Sequence, residues 1–366
     1  MKRKLVRKLV VAAIVALVAL IPLLAEPESG LTLKPTFGFA DADFYWAQFK
    51  GGVEGFEVVP GVSSAALLYL GAGYYSDSYY RDAAGARLVD PALAFKGASF
   101  NEWGSETRLG LDLGLVGKSQ GEGNLVTLQL YLRDVWKSNV GAPAAYSTTA
   151  LDGAGYLENS LLARLGYTGA EVDIDTRTRE GLNAEASVEW APPFLLNTLI
   201  GKADWWRLNS RIAGFLPIVK TSAFGLYVGD RLVLDAVGGA SLPSHIQRQI
   251  GGFKAGKAMG GAVRGIDNYR YDGNVKIVNN FDLRATLPAI FGKGLVPELF
   301  VFTDQGFVDN RDYFATPGQM LLTAGGGLVL DFLAGSSPLE LGYYVTYNLT
   351  ERAWSFFNFI ILGYQF

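Results

Sequence analysis

The chain has no cysteine, and every role that sulfur could play falls away with it. Disulfide staples, thiolate nucleophiles, cysteine metal sites and a lipid-modified amino-terminal cysteine are all excluded. Histidine is nearly as scarce. His245 stands alone, so an imidazole triad or metal centre would have to be built on it. It sits in Ser241-Leu242-Pro243-Ser244-His245, at the start of a long loop, where a solvated side chain is the simpler reading. Charge of one sign is not in excess either. The 32 Lys and Arg against 35 Asp and Glu leave a net charge of −3, which argues against a nucleic-acid partner. Long apolar runs are missing beyond Ala25, where no segment approaches the ~20 continuous apolar residues of a membrane helix.

What is present is an apolar chain without apolar runs: 49% hydrophobic, 18% charged, with 45 Gly, 22 Phe, 18 Tyr and 7 Trp. Its apolar residues are dispersed by alternation. Leu109, Leu111, Leu113 and Leu115 share one face of a strand, while Arg108, Gly110, Asp112 and Gly114 share the other. Val126, Leu128, Leu130 and Leu132 alternate in the same way with Thr127, Gln129, Tyr131 and Arg133. Period two with leucine on one face and charge on the other suits strands with lipid outside and a polar interior. A soluble sandwich would favour β-branched residues over rows of leucine.

Residues 1–25 read as a secretory leader. Lys2, Arg3, Lys4, Arg7 and Lys8 are its basic start, Leu9 to Leu24 its uncharged segment, and Ala25 the small residue before Glu26. Candidate strands then fall at 31–44, 56–62, 65–75, 87–96, two around 106–116 and 126–133, 161–176, 182–191, 204–216 and 224–237. The long loop of about 240–274 follows, and after it 275–288, 295–308, 320–333, 337–349 and 354–366. That is about 15 strands, an odd number where bacterial barrels have an even one. Trp205-Trp206 suits an interfacial girdle.

Some motifs weigh little. Gly251 to Lys257 fits GxxxxGK, but Ala258 follows instead of Ser or Thr, and no helix comes after to hold a phosphate. The pairs Asp41/Asp43 and Asp173/Asp175 could bind calcium, yet on strands they simply share a face.

The stretch from Gly251 to Gly306 is richer. Gly251, Gly252, Gly256, Gly260 and Gly261 lead into Val263-Arg264-Gly265-Ile266. The following strand sets Val275, Ile277, Phe281, Leu283, Ala285 and Leu287 against Lys276, Asn280, Asp282, Arg284 and Thr286. The next carries Phe302-Thr303-Asp304-Gln305-Gly306. An arginine on a glycine-rich loop, followed by strands aiming acids to one side, points to a loop pinned by a buried ion pair.

In this order the pieces resemble the barrel of the BamA/TamA/FhaC family, the bacterial surface antigen proteins that insert or secrete proteins at outer membranes. That family carries VRG and an aromatic on a loop folded back into the barrel lumen, an acid on the next strand, and FxDxG on the one after. Val263, Arg264 and Gly265 match, with Ile266 in place of the aromatic; Phe302, Asp304 and Gly306 match, and Asp282 stands for the usual glutamate. The resemblance implies an all-β fold, a transmembrane antiparallel β-barrel of about 16 strands filling 26–366, with the long extracellular loop in its lumen. It implies that Arg264 pairs with Asp304 and Asp282 there. Phe366, with Tyr364, Leu362 and Ile360 on the same face, resembles the carboxyl-terminal signal for barrel insertion. The expected setting is the bacterial outer membrane, with its lipid as a partner, no cofactor, no enzymatic activity and no nucleic acid. Unfolded barrel or secreted proteins would be the substrates. The leader is followed almost at once by the first strand, leaving no POTRA domain in between, so a separate periplasmic partner would capture them. The alternative is a passive pore or structural barrel that has lost the insertase activity; a barrel enzyme would have to use His245.

Overall fold

A computed structural model of the chain describes residues 30–39, 44–79, 99–117, 123–140, 156–173, 178–199, 203–221, 223–241, 248–250, 263–266, 271–272, 274–290, 294–310, 316–334 and 337–362. Strands make up nearly all of it. They are β1 (Gly30–Phe39), β2 (Phe44–Val59), β3 (Val62–Tyr79), β4 (Ser99–Gly117), β5 (Asn124–Val140), β6 (Tyr156–Thr168), β7 (Glu171–Val172), β8 (Arg179–Ala191) and β9 (Asp204–Lys220). Then come β10 (Gly225–Ser241), β11 (Arg248–Ile250), β12 (Tyr271–Asp272), β13 (Val275–Thr286), β14 (Leu295–Asn310), β15 (Thr316–Ala334), β16 (Ser337–Asn348) and β17 (Ala353–Leu362). Fourteen of them form one antiparallel sheet, hydrogen-bonded in chain order from β1 to β17. The short β7 hangs on β8, and β11 and β12 pair with each other outside this path. Among the described residues no helix is long and apolar enough to cross a membrane.

The chain groups into two compact units, one of Met1–Gly166, Ser187–Leu208 and Val237–Ser244, the other of Tyr167–Ala186, Asn209–Ala236 and His245–Phe366. Each shows the same inversion of ordinary burial. In the second unit the buried face of β13 carries Lys276, Val278, Asn280, Asp282, Arg284 and Thr286, while Val275, Ile277 and Phe281 on its other face are exposed. On β14, Glu298, Phe300, Phe302 and Asp304 are buried, and Leu299 and Val301 are exposed. In the first unit Glu158, Glu189, Arg207 and Trp205 are buried, whereas Val188, Trp190, Trp206 and Leu208 are exposed. A water-soluble sheet buries its apolar face, because that removes most hydrocarbon from water. Here the apolar face is the outer one.

Several sequence-read boundaries shift. The strand expected over 31–44 is β1 in its described part, and β2, over Phe44–Val59, is an additional strand that pairs antiparallel with it, Phe39 opposite Tyr45. Residues 56–62 hold no strand of their own: they finish β2 and turn at Pro60-Gly61, where Gly61 has φ 79° and its N–H donates to Glu57 Oε2 at 2.8 Å. The reason is a bulge. Gly55, at φ 84°, slips the β2–β3 register between Glu54 and Phe56 and breaks the period of two. The strand expected over 161–176 stops at Thr168, because residues after Ala170 turn into the β7–β8 hairpin, with Glu171 opposite Glu180. Residues 87–96 lie outside the described ones, as do the leader 1–25, His245, the Gly251–Lys257 stretch, Asp41, Asp43 and Asp175.

Candidate functional site

Register comes first, because it creates the electrostatic problem that the site solves. β13 and β14 pair with Asn280 opposite Asp304 and Asp282 opposite Phe302, so the two aspartates are diagonal neighbours on one buried face. Both are fully buried. Diagonal positions lie about 7–8 Å apart, close enough for two carboxylates to repel strongly in a poorly solvated place. A cation between them turns repulsion into attraction.

Arg264 is that cation. It rides on the turn Val263-Arg264-Gly265-Ile266, closed by the Ile266 N–H donating to the Val263 carbonyl at 3.3 Å. Gly265 takes φ 88° in the third position, the place where a type II turn demands glycine. A side chain there would also run into Thr346. The Arg264 backbone N–H donates to Asp304 Oδ2 at 2.7 Å and its Nε to the same oxygen at 2.8 Å. Its Nη2 donates to Asp304 Oδ1 at 2.6 Å and to Asp282 Oδ1 at 2.5 Å. The planar fork thus spans Asp304 in two-point fashion and reaches Asp282 with the same nitrogen. Burial alone would lower the Arg264 pKa, and the Asp304 and Asp282 charges outweigh it, holding the guanidinium above its ordinary value.

The rest of the strand motif serves the same turn. The Phe302 ring lies under the guanidinium, with its centroid 3.7 Å from Arg264 Cζ. Gly306 leaves the room that Val263 fills: a Cβ there would come within 3.0 Å of Val263 Cγ2 and 3.3 Å of Leu321 Cβ. Val263 and Ile266 complete an aliphatic cluster with Val233, Val278, Val308 and Leu321. Ile266 is 2% exposed and surrounded by branched aliphatic side chains. Hence every fixed position of the two motifs touches the turn or seats it.

Charges beyond the motif extend the network. Arg284 donates from Nε and Nη2 to Asp282 Oδ2 at 2.9 and 2.7 Å, and from Nη1 to Glu298 Oε1 at 2.6 Å. Tyr227, opposite Arg284 across β10 and β13, donates its hydroxyl to Glu298 Oε2 at 2.9 Å. Arg231 donates twice to Asn280 Oδ1, and Lys276 pairs with Asp235 at 2.8 Å. Arg284, Glu298 and Tyr227 were not singled out by the sequence motifs. The available signal was facing: Arg284 is two residues beyond Asp282, and Glu298 falls on the face of Phe302 and Asp304.

The first unit has a charge cluster of its own. Arg133 on β5 donates from Nε to Glu106 Oε1 at 2.9 Å and from Nη1 to Glu189 Oε1 at 3.0 Å, with Glu158 Oε1 at 3.6 Å. Arg108, directly opposite Arg133, shares Glu106 at 2.5 Å, so one carboxylate separates two facing arginines. Ser160 donates to Glu189 at 2.5 Å and Trp205 Nε1 to Glu158 at 3.1 Å.

Among the described side chains, Asp173 does not join these clusters. It pairs with Lys220 at 3.0 Å on the exposed surface. Leu362 and Ile360 lie on β17, their backbones opposite Leu339 and Leu341. Gly261, Tyr364 and Phe366 are outside the described residues.

The fold is similar to that of BamA from Haemophilus ducreyi lacking POTRA domains 1–3, with a TM-score of 0.55 and 14% identity over 92% of this chain and 64% of that one. CdiB from Acinetobacter baumannii aligns with a TM-score of 0.49 and 14% identity over 92% of this chain and 54% of that one. The chain therefore spans less than two thirds of either structure. At this identity the likeness to BamA is one of fold. No protein-family model and no curated protein matches the chain.

Proposed function

We propose that the chain is a transmembrane β-barrel of the bacterial outer membrane, with about 16 strands, that acts in inserting or translocating proteins there. The observation that carries this is the inverted burial, with Asp282, Arg284 and Asp304 inside and Phe281, Leu299 and Val301 outside. Lipid accepts the outer face without cost, and closing the sheet leaves no backbone group unpaired in hydrocarbon. On this reading residues 1–25 direct export, and the buried face lines a lumen into which the loop of about 240–274 folds. Arg264 then locks that loop to the wall through Asp304 and Asp282. The chemistry is binding and gating, with no cofactor and no catalytic residue. The similarity in fold to BamA is consistent with an insertion or secretion role at the level of fold. β1 and β17 end the hydrogen-bonded path, and opening the seam between them would expose an edge to which an incoming polypeptide adds by strand pairing. A separate periplasmic partner would deliver that polypeptide.

The absence of cysteine makes the test clean. A single cysteine replaces Phe356 on β17, carries a photo-crosslinker, and is illuminated in intact cells. Trapped barrel precursors or secreted chains are the expected products. Adducts with lipid alone, together with a steady conductance in planar bilayers, would overturn the insertion role and leave a passive pore.

A further inference from the structure

The connection between β8 and β9 is unlike a turn made for water. It runs from 192 to 203, and its first eight residues read Pro192-Pro193-Phe194-Leu195-Leu196-Asn197-Thr198-Leu199. No charged residue occurs from Trp190 to Leu199, and Lys202 is the one charge in the connection. Turns exposed to water are polar and take glycine or asparagine where φ is positive. Here Leu196 takes φ 68°, a conformation that branched and bulky side chains avoid, and it does so while 46% exposed. Leu199 is 66% exposed.

The strain is held by a latch. Asn197 is fully buried; its Nδ2 donates to the carbonyls of Asn159 and Pro192, both at 2.9 Å, and its Oδ1 accepts from the Asn159 N–H at 2.6 Å. Leu195 is buried beside it, and the Leu199 N–H closes a further turn onto the Leu196 carbonyl at 3.0 Å. The segment is thus fixed to β6 with Leu196 and Leu199 held outward.

Its surroundings identify the occupant. Trp190 packs edge-on against Phe194, with centroids 5.4 Å apart. Val188 and Trp190 on β8, and Trp206 and Leu208 on β9, are exposed, and on β8 this apolar face leads directly into the turn. Tryptophan at the end of such a face marks the boundary between hydrocarbon and headgroups, where the ring is buried and its N–H stays hydrated. We infer that the Pro192–Leu199 turn is a rigid interfacial anchor, placing Leu196 and Leu199 in the headgroup-to-acyl boundary of the membrane. The occupant is lipid. A protein partner would not need the apolar strip to continue down the strands. This inference rests on the transmembrane reading and adds a contact beyond the strands themselves.

The test uses the full chain, purified and refolded into phosphatidylcholine vesicles. Nitroxide labels are placed one at a time through Leu199→Cys, Leu196→Cys, Leu208→Cys on the strand face and Glu351→Cys on an exposed polar turn. Collision rates with oxygen, which concentrates in lipid, and with a water-soluble nickel chelate report the depth of each label. Labels at 196 and 199 are expected to favour oxygen severalfold over the label at 351, as the label at 208 does. Aqueous behaviour at 196 and 199 with 208 in lipid would overturn the anchor alone. Aqueous behaviour at 208 as well would overturn the membrane reading on which it rests. Adding Asn197→Ala should make the label at 199 more mobile and bring it toward water, with 208 unchanged. If 199 stays at its depth with unchanged mobility, the latch is refuted.

Discussion

Two arginines, Arg264 and Arg133, have nearly the same task and differ in where they come from. Both are cations ringed by carboxylates on the buried face of a sheet. Arg264 arrives on a turn and binds Asp304 and Asp282 on adjacent strands, so its bonds tie a loop to a wall that is already paired. Arg133 belongs to a strand, and its acids come from β4, β6 and β8. Its bonds therefore run between parts of the sheet. The difference teaches what a buried ion pair secures. Loss of a partner costs about the same in either place if water stays out, yet one loss frees a loop and the other loosens the sheet.

The largest effect should come from Arg133→Met. It leaves the buried Glu158 and Glu189 without their shared cation while Glu106 keeps Arg108. Removal of one member of a buried charge cluster costs about 3–5 kcal/mol, and the 15% and 17% exposure of Arg133 and Glu106 puts this loss at the lower end. Urea unfolding in vesicles, followed by tryptophan fluorescence, should show a clearly lowered midpoint. An unchanged midpoint would mean that water screens the cluster and that the comparison is false. Among the described residues, Asp304→Ala removes three of the four hydrogen bonds made by Arg264, including the one from its backbone N–H. The energy at stake is of the same order, about 3–5 kcal/mol, and it falls on the loop. Protease nicking within the loop should accelerate strongly while the unfolding midpoint moves less than in Arg133→Met. Equal shifts in midpoint would show that the turn holds the wall together as well.

This contrast also sets what the sequence could reveal. Leu109 to Leu115 and Val126 to Leu132 are legible as strands because their period of two is unbroken. β2 is not, because the Gly55 bulge moves every later side chain to the other face. At the Arg264 turn the motif order singles out Arg264, Asp282 and Asp304, and the structure brings those three charges together. Of the Arg133 cluster the alternation shows only Arg108 and Arg133 on the polar faces of their strands, without their partners. The partners of Arg133 are 27 and 56 residues away for Glu106 and Glu189, and only strand register makes them neighbours. Separation alone is not the reason, since Arg264 lies 40 residues from Asp304; the turn is legible through its ordered motifs, and the wall cluster carries none.

A smaller effect is expected at Gly265. Alanine there would have to adopt φ 88° and would meet the Thr346 side chain, a strain of about 1–3 kcal/mol. The charges of Arg264, Asp282 and Asp304 stay in place, so loop nicking should fall between wild type and Asp304→Ala. A rate equal to that of Asp304→Ala would mean that the shape of the turn, more than its ion pairs, holds the loop.

The smallest effect isolates burial as the variable. Lys220, like Arg264, touches two carboxylates, with Asp173 at 3.0 Å and Glu180 at 3.1 Å. Counted as ion pairs, the two cations are equivalent. They differ in solvent: the Lys220 side chain is 35% exposed against 4% for Arg264, and Glu180 is 49% exposed against none for Asp304. Water already solvates Lys220 and both its partners, so removing the amine strands no charge, and salt screens what attraction there is. Lys220→Ala should leave both the unfolding midpoint and loop nicking unchanged, at low and at high salt. A drop that high salt abolishes would show that exposed pairs help hold this protein, and the distinction between Arg264 and Lys220 would then lie in the fork of the guanidinium more than in its burial.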